Sequence, residues 1–194
     1  MSLQPRPRYS FDDYLAAERE CVDQRHEYLD GEVFAMTGAS WEHNLITANL
    51  VGELHAALKG HPCRVLTNDL RVYAADANAG TYPDVAVLCG APEFYDQRRD
   101  TLINPTLLIE VLSPSTEGYD RGGKFASYRT LPSLRQYVLV AQDRQAVDVS
   151  TRETDQRWVM TSYTSADRNV VFDVIDCTIA MTDLYAGVER GLGD

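Results

Sequence analysis

Glu110 stands in the run Leu107-Leu108-Ile109-Glu110-Val111-Leu112, which is apolar at every other position. Strands covered on both faces read as such runs, so an ionised carboxylate here is costly unless it is paired or metal-bound. The plain alternative is a Glu on the solvent face of a half-buried strand, or one paired with an internal Arg. Asp84, in Tyr82-Pro83-Asp84-Val85-Ala86-Val87-Leu88, is a second acid at the entry of an apolar strand. Pro83 fixes that approach and has no N–H to give. Alone, an Asp at a strand start is as readily a turn residue. Two strands that each carry one inward acid can bring both carboxylates to a single Mg²⁺, which takes oxygen ligands and keeps several waters.

Lys124 falls in the helical stretch after the Glu110 strand, where its ammonium can reach back over the strand end to orient a water or neutralise a phosphate. A solvated helix lysine is the commoner case. Scarcity favours the chemical reading: Lys59 and Lys124 are the only lysines in the chain. Asp120, four residues earlier on the same face, either holds the lysine or forms an ordinary surface pair. The mechanism these residues support is phosphodiester hydrolysis, with Asp84, Glu110 and the Val111 carbonyl holding Mg²⁺ or Mn²⁺.

The elements that must position these groups belong to a chain of 194 residues with 44% hydrophobic content, enough for one sizeable core. One domain over residues 1–194 is expected. No stretch approaches the ~20 apolar residues of a membrane span and no apolar signal segment follows the N-terminus, so no membrane contact and a cytoplasmic location are expected. Cys21, Cys63, Cys89 and Cys177 form no CxxC pair and read as core or partly buried thiols. A net charge of -11 and a pI near 4.7 disfavour nucleic-acid binding over the whole surface. Between Gly118 and Arg135, however, Arg121, Lys124, Arg129 and Arg135 face only Asp120, a candidate basic patch.

Ser10 and Asp13 cap a short opening helix. Asp30-Gly31 between two apolar runs predicts a hairpin with a type I′ turn. From Ser40 to about Gly60, apolar residues at steps of three and four predict the longest helix. Strands are expected at 63–67, 70–74, 83–88, 107–112, 136–141, 146–151, 158–163 and 169–174. Helices are expected at 119–130, ended by Pro132, and from Thr182 to about Val188. The class is mixed α/β around a mainly central sheet.

Tyr82-Pro-Asp84, Glu110-Val-Leu-Ser-Pro-Ser-Thr and Asp120-Arg-Gly-Gly-Lys124-Phe-Ala-Ser-Tyr128, with Tyr28-Leu-Asp-Gly-Glu32, Ser40-Trp-Glu-His43-Asn and Asn68-Asp-Leu-Arg71, resemble the Uma-type family of restriction endonucleases in the PD-(D/E)XK superfamily. The likeness covers roughly residues 10–180. It implies a restriction endonuclease-like fold, a central mixed β-sheet flanked by helices, with Asp84 and Glu110 as the two acids. The superfamily's lysine two residues after the second acid is Leu112 here, and the resemblance implies that its role has moved to Lys124. An additional acid or base from an early element is also implied; Glu32, His43 and Glu53 are the candidates. Each has a plainer role as a cross-strand pair, a first-turn helix residue or a solvent-facing acid.

The function implied is metal-dependent cleavage of nucleic acid, DNA in the first instance, by a homodimer able to cut both strands. The alternatives are a non-catalytic nucleic-acid- or protein-binding module of the same fold, and a metal-dependent hydrolase of small phosphate esters. The loop from Pro92 to Asn104, with Tyr95, Arg98 and Arg99, is a candidate for substrate contact and otherwise a solvated loop.

Overall fold

The computed structural model describes residues 8–155 and 157–188. In chain order the elements are α1 (Phe11–Glu20), β1 (His26–Leu29), β2 (Glu32–Ala35), α2 (Trp41–Ala57), β3 (Cys63–Thr67), β4 (Arg71–Ala74), β5 (Ala79–Thr81), β6 (Val85–Cys89) and β7 (Thr101–Leu102). There follow β8 (Leu107–Leu112), α3 (Glu117–Tyr119), α4 (Phe125–Tyr128), β9 (Gln136–Ala141), β10 (Ala146–Thr154), β11 (Arg157–Thr164), β12 (Asn169–Phe172), β13 (Cys177–Ala180) and α5 (Met181–Leu184). A π-type turn, Asp120–Lys124, joins α3 to α4.

Local chemistry fixes the element starts. Ser10 Oγ accepts from Asp13 N at 3.1 Å while the Asp13 carboxylate reaches back to Ser10, a complete capping box for α1. Asp30 (φ 45°) and Gly31 (φ 89°) both adopt the positive φ that a type I′ hairpin turn requires. Ser40 Oγ accepts from His43 N at 3.2 Å and starts α2.

The central sheet has six strands in the order β11-β10-β9-β8-β6-β3. Only β8 and β9 run parallel, so the sheet is mixed as expected. Against one face lie Ile46, Leu50 and Leu54 of α2, meeting Val85, Val87, Leu107, Ile109 and Val111. On the other face Ala86, Leu88, Leu108 and Leu112 meet Tyr128 and Leu131, together with Val72, Ala74 and Leu102. Those last three belong to a second sheet, ordered β2-β1-β5-β4-β7. Beyond it, Phe11, Tyr14 and Leu15 of α1 pack on Tyr28 and Tyr73. Gly80 permits that close approach, since a Cβ there would meet Phe11 Cε2 at 2.6 Å.

The second sheet corrects the single central one. The strands expected at 63–67 and 83–88 join the central sheet as β3 and β6, whereas β4 folds back on β5, in the segment read as a turn cluster, and joins the hairpin. β7 and β13 were also missed, being too short or too polar to stand out from loop. The final helix is shorter than expected, Met181–Leu184.

The cysteine expectation is overturned as well. Cys63 and Cys89 face each other across β3 and β6 and form a disulfide, and Cys21 is exposed; Cys177 alone is a buried thiol. Strand register, invisible in spacing, makes that pair. No helix among the described residues is long and apolar enough to cross a membrane.

Candidate active site

β6 and β8 pair with Val85 opposite Ile109 and Ala86 opposite Leu108. One further step in that register sets Asp84 opposite Glu110. Alternation with Leu108 and Leu112 turns Glu110 toward the face shared with α3 and α4, where it is 3% exposed. Asp84 Oδ2 accepts from Val111 N at 2.8 Å and lies 3.2 Å from His43 Nε2, which the first turn of α2 brings over the strand ends. Glu110 Oε1 accepts from Tyr128 Oη at 3.0 Å and lies 3.0 Å from Lys124 Nζ. The same ammonium is 3.1 Å from Glu27 Oε1 and 3.8 Å from Asp120 Oδ1. Glu27 is held in turn by Tyr82 N at 3.1 Å.

Lys124 is the last residue of the π-type turn and reaches Glu110 from there. The turn's wider winding accommodates an extra residue in the helix, a distortion that recurs at functional sites. The position two residues after Glu110, Leu112, shares its face but fills the apolar cluster. The cation therefore comes from the covering helix.

Three carboxylates, Glu27, Glu110 and Asp120, thus gather around one ammonium, and a fourth, Asp84, stands beside Glu110 and against His43. Burial pushes the Glu110 carboxyl well above the ordinary range; Lys124 pulls it back, and Asp84, Asp120 and Glu27 add to the rise. Asp120 is raised by burial too, against the pull of Lys124. Burial works against the charge on Lys124, but Glu110, Glu27 and Asp120 together outweigh it and hold its pKa well above normal. The nearby Tyr119 hydroxyl is pushed up to about 12, by burial first and by Glu27 next. The lysine stays charged, and the carboxyls crowded beside it resist ionising.

The sequence matches the family model Uma2, described as "Putative restriction endonuclease", over residues 11–182. The chain belongs to the Uma2 family. Two Synechocystis proteins are similar along most of their length. The uncharacterized protein slr1290 is 35% identical over 186 residues, 95% of this chain and 95% of its own. The uncharacterized protein sll1609 is 32% identical over 160 residues, 82% of this chain and 90% of its own. In fold the chain is similar to the crystal structure titled "a putative nuclease belonging to DUF820" from Anabaena variabilis. The TM-score is 0.73 at 18% identity, covering 91% of this chain and 97% of that one. Family and fold are therefore nuclease-like.

Of the residues singled out in this Uma2 sequence, Asp84, Glu110, Lys124, Asp120 and His43 converge. Glu53 does not join them. Glu32 pairs with Leu29 at the hairpin turn, two rungs from the Glu27–Phe34 pair on the same face. Glu53 is exposed on α2, on the side of Cys177. The early acid is Glu27, which the sequence reading missed. Its one signal was an acid beside the apolar Tyr28 and Leu29, and only the pairing of β1 with β5 reveals its neighbours.

The candidate basic patch largely dissolves. Arg121 is neutralised by Glu117 at 2.7 Å and Asp148 at 2.8 Å, and Lys124 is enclosed by acids. In the Pro92–Asn104 loop, Tyr95 bonds Asp12 at 2.7 Å and packs edge-on against Phe11, while Asp96 and Asp100 grip Arg19. Those contacts tie the loop to α1.

Among the described residues no three or more His, Cys, Asp or Glu side chains form a ready-made metal cage. Magnesium does not require one, since one or two carboxylates and several waters suffice. Asp84, Glu110 and the Val111 carbonyl supply only oxygen, the donor chemistry of a hard divalent ion, and their surplus charge calls for a cation. These residues fit the metal that nuclease chemistry implies.

Proposed function

We propose that this chain is a metal-dependent endonuclease that hydrolyses nucleic-acid phosphodiester bonds, with DNA the first polymer to test. The observation that carries this reading is the surplus of buried carboxylates around Lys124. Asp84, Glu110 and the Val111 carbonyl would hold Mg²⁺ or Mn²⁺. When bound, the ion supplies Lewis-acid polarisation of the scissile phosphate and neutralises its charge.

The residues of the chain do the rest. Lys124 Nζ donates to the attacking water and to the phosphate, steadying the charge that develops as the water oxygen bonds to phosphorus, releases its proton to solvent, and the strand P–O bond breaks. The departing oxygen takes its proton from solvent. Glu27 and Asp120 keep the ammonium charged and aimed, Tyr128 fixes Glu110, and His43 with Val111 N fixes Asp84. Cutting both strands of a duplex calls for two such sites, so a homodimer is part of this reading.

The net charge of -11 favours a second reading, hydrolysis of a small phosphate ester. One experiment separates the two. Single- and double-stranded DNA and RNA and a chromogenic phosphodiester are incubated with Mg²⁺ or Mn²⁺, with chelator and Asp84→Ala as controls. The nuclease reading expects polymer cleavage lost in both controls; hydrolysis of the small ester alone would support the second reading, and no hydrolysis of anything would remove both.

A further inference from the structure

Away from the acid pocket, at the other end of the α3–α4 stretch, three arginines come together with one nearby acid, the exposed Asp155. Arg129 and Arg135 are exposed, and Arg152 is only 7% exposed. Among the described residues none of the three forms an ion pair, whereas Arg19, Arg121, Arg144 and Arg157 all do. Arg152 donates from Nη2 to the carbonyls of Arg129 at 2.6 Å and Leu131 at 2.9 Å. Its guanidinium lies 4.8 Å from the Trp158 ring centroid. Two buried donors there, Arg152 Nε and Trp158 Nε1, have no partner. Beside them opens a cavity of about 270 Å³ lined by Ala126, Arg129, Thr130, Asp155 and Trp158.

Buried donors are nearly always satisfied, and an unsatisfied one calls for a specific explanation. In a chain this acidic, three clustered cations beside a single acid call for one as well. Burial, opposed by Asp155, lowers the Arg152 pKa, and Arg135 and Arg129 lower it further. The exposed Asp155 is the one acid on the cavity wall. Orphaned N–H donors, guanidinium groups and an aromatic wall together suit a phosphate, which guanidinium recognises with paired hydrogen bonds.

We infer that Arg129, Arg135, Arg152 and Trp158 form a phosphate-binding site that holds the nucleic-acid backbone a few nucleotides from the acid pocket. The source of the phosphate rests on the nuclease reading; the site itself does not. Lys124 and Arg129 are five residues apart on one helical stretch, about 7.5 Å at ~1.5 Å per residue. That matches about two nucleotides at ~3.4 Å rise along a strand. The site gives a protein of net charge -11 a local hold on a polyanion.

The test is fluorescence anisotropy of labelled single- and double-stranded oligonucleotides across a salt series, in chelator so that nothing is cut. The intact chain is compared with Arg129→Ala/Arg135→Ala, both surface changes. The double variant is expected to bind more weakly and to lose about 1.4 to 1.8 units from the slope of log affinity against log salt, ~0.7 per contact for single strands and ~0.9 for duplex. A second arm titrates inorganic phosphate and a mononucleotide while following Trp158 fluorescence in a Trp41→Phe background. If no oligonucleotide binds but these anions change the Trp158 signal, and the double variant abolishes that change, the phosphate site stands with a small-molecule source. An unchanged salt slope with intact binding overturns the arginine site while leaving the nuclease reading untouched. No response in either arm overturns the site outright.

Discussion

Two buried polar clusters lie on opposite sides of the five-stranded sheet, and they are built to different rules. Beneath α1, Arg71 donates from Nη1 to Thr101 at 2.8 Å and from Nη2 to the Tyr82 hydroxyl at 2.6 Å, which donates to Glu18 at 3.0 Å. Glu18 also accepts from His26 N at 2.9 Å and meets His26 Nδ1 at 3.0 Å. One cation and one carboxylate share a hydroxyl, so the charges balance. Around Lys124, three carboxylates share one ammonium, and Asp84 stands beside Glu110. The first cluster matches one cation to one carboxylate, although Arg71 Nε has no partner, and it fastens α1 to the sheet. The second crowds carboxyls beside a single ammonium, and the proposed function gives it a divalent cation to relieve that crowding.

The largest contrast should come from Glu110→Gln, which keeps the shape of the side chain but removes a charge. Cleavage should fall by at least ~10²–10³-fold, the scale of losing one preorganised electrostatic contact. Thermal stability should stay level or rise, because repulsion is relieved; a melting temperature well below that of the parent chain would show that Glu110 is instead a structural ion-pair partner. In the balanced cluster the order reverses. Arg71→Ala takes the one cation from beneath α1 and should cost about 3–5 kcal/mol in urea unfolding, the penalty for breaking a buried charge network.

Metal should act on one cluster only. Mg²⁺ at about a hundred times its dissociation constant should stabilise the parent chain by ~2.7 kcal/mol, and Glu110→Gln by much less. The pH dependence is smaller and has a definite sign. Glu110 and Asp120 are raised above their ordinary values, so the folded chain keeps protons that the unfolded chain has released. Their contribution is fully present below the unfolded pKa and is lost as pH rises through the folded one. In chelator, the melting temperature should therefore fall as pH rises above the ordinary carboxylate range. Glu110→Gln should flatten that fall, and Mg²⁺ should oppose it by favouring the ionised carboxylates.

Much of the acid pocket could be read in the chain because each of Asp84, Glu110 and Lys124 contradicts its surroundings: two acids enter or interrupt apolar strands, and one lysine stands where lysine is scarce. The covering helix carrying Lys124 was expected, but its π-type turn was not, since Gly122 and Gly123 fit many local conformations. Glu27 and the second sheet were hidden for one reason. β5 is three residues long, and its pairing with β1 and β4 joins segments whose own patterns do not require each other. The arginine site shows the same limit from the other side. Local composition gave Arg121 and Lys124 as part of a basic patch, and the fold gave both to acids while bringing Arg152 from a distant strand to Arg129.

The most direct test of the central claim is a calorimetric titration of Mn²⁺ into the parent chain and into Glu110→Gln. Saturable binding near one ion per chain, lost in the variant and accompanied by proton release from the crowded carboxylates, is the predicted result. Equal binding by both chains, or none by the parent, would contradict the view that the acid surplus around Lys124 is a divalent-cation site.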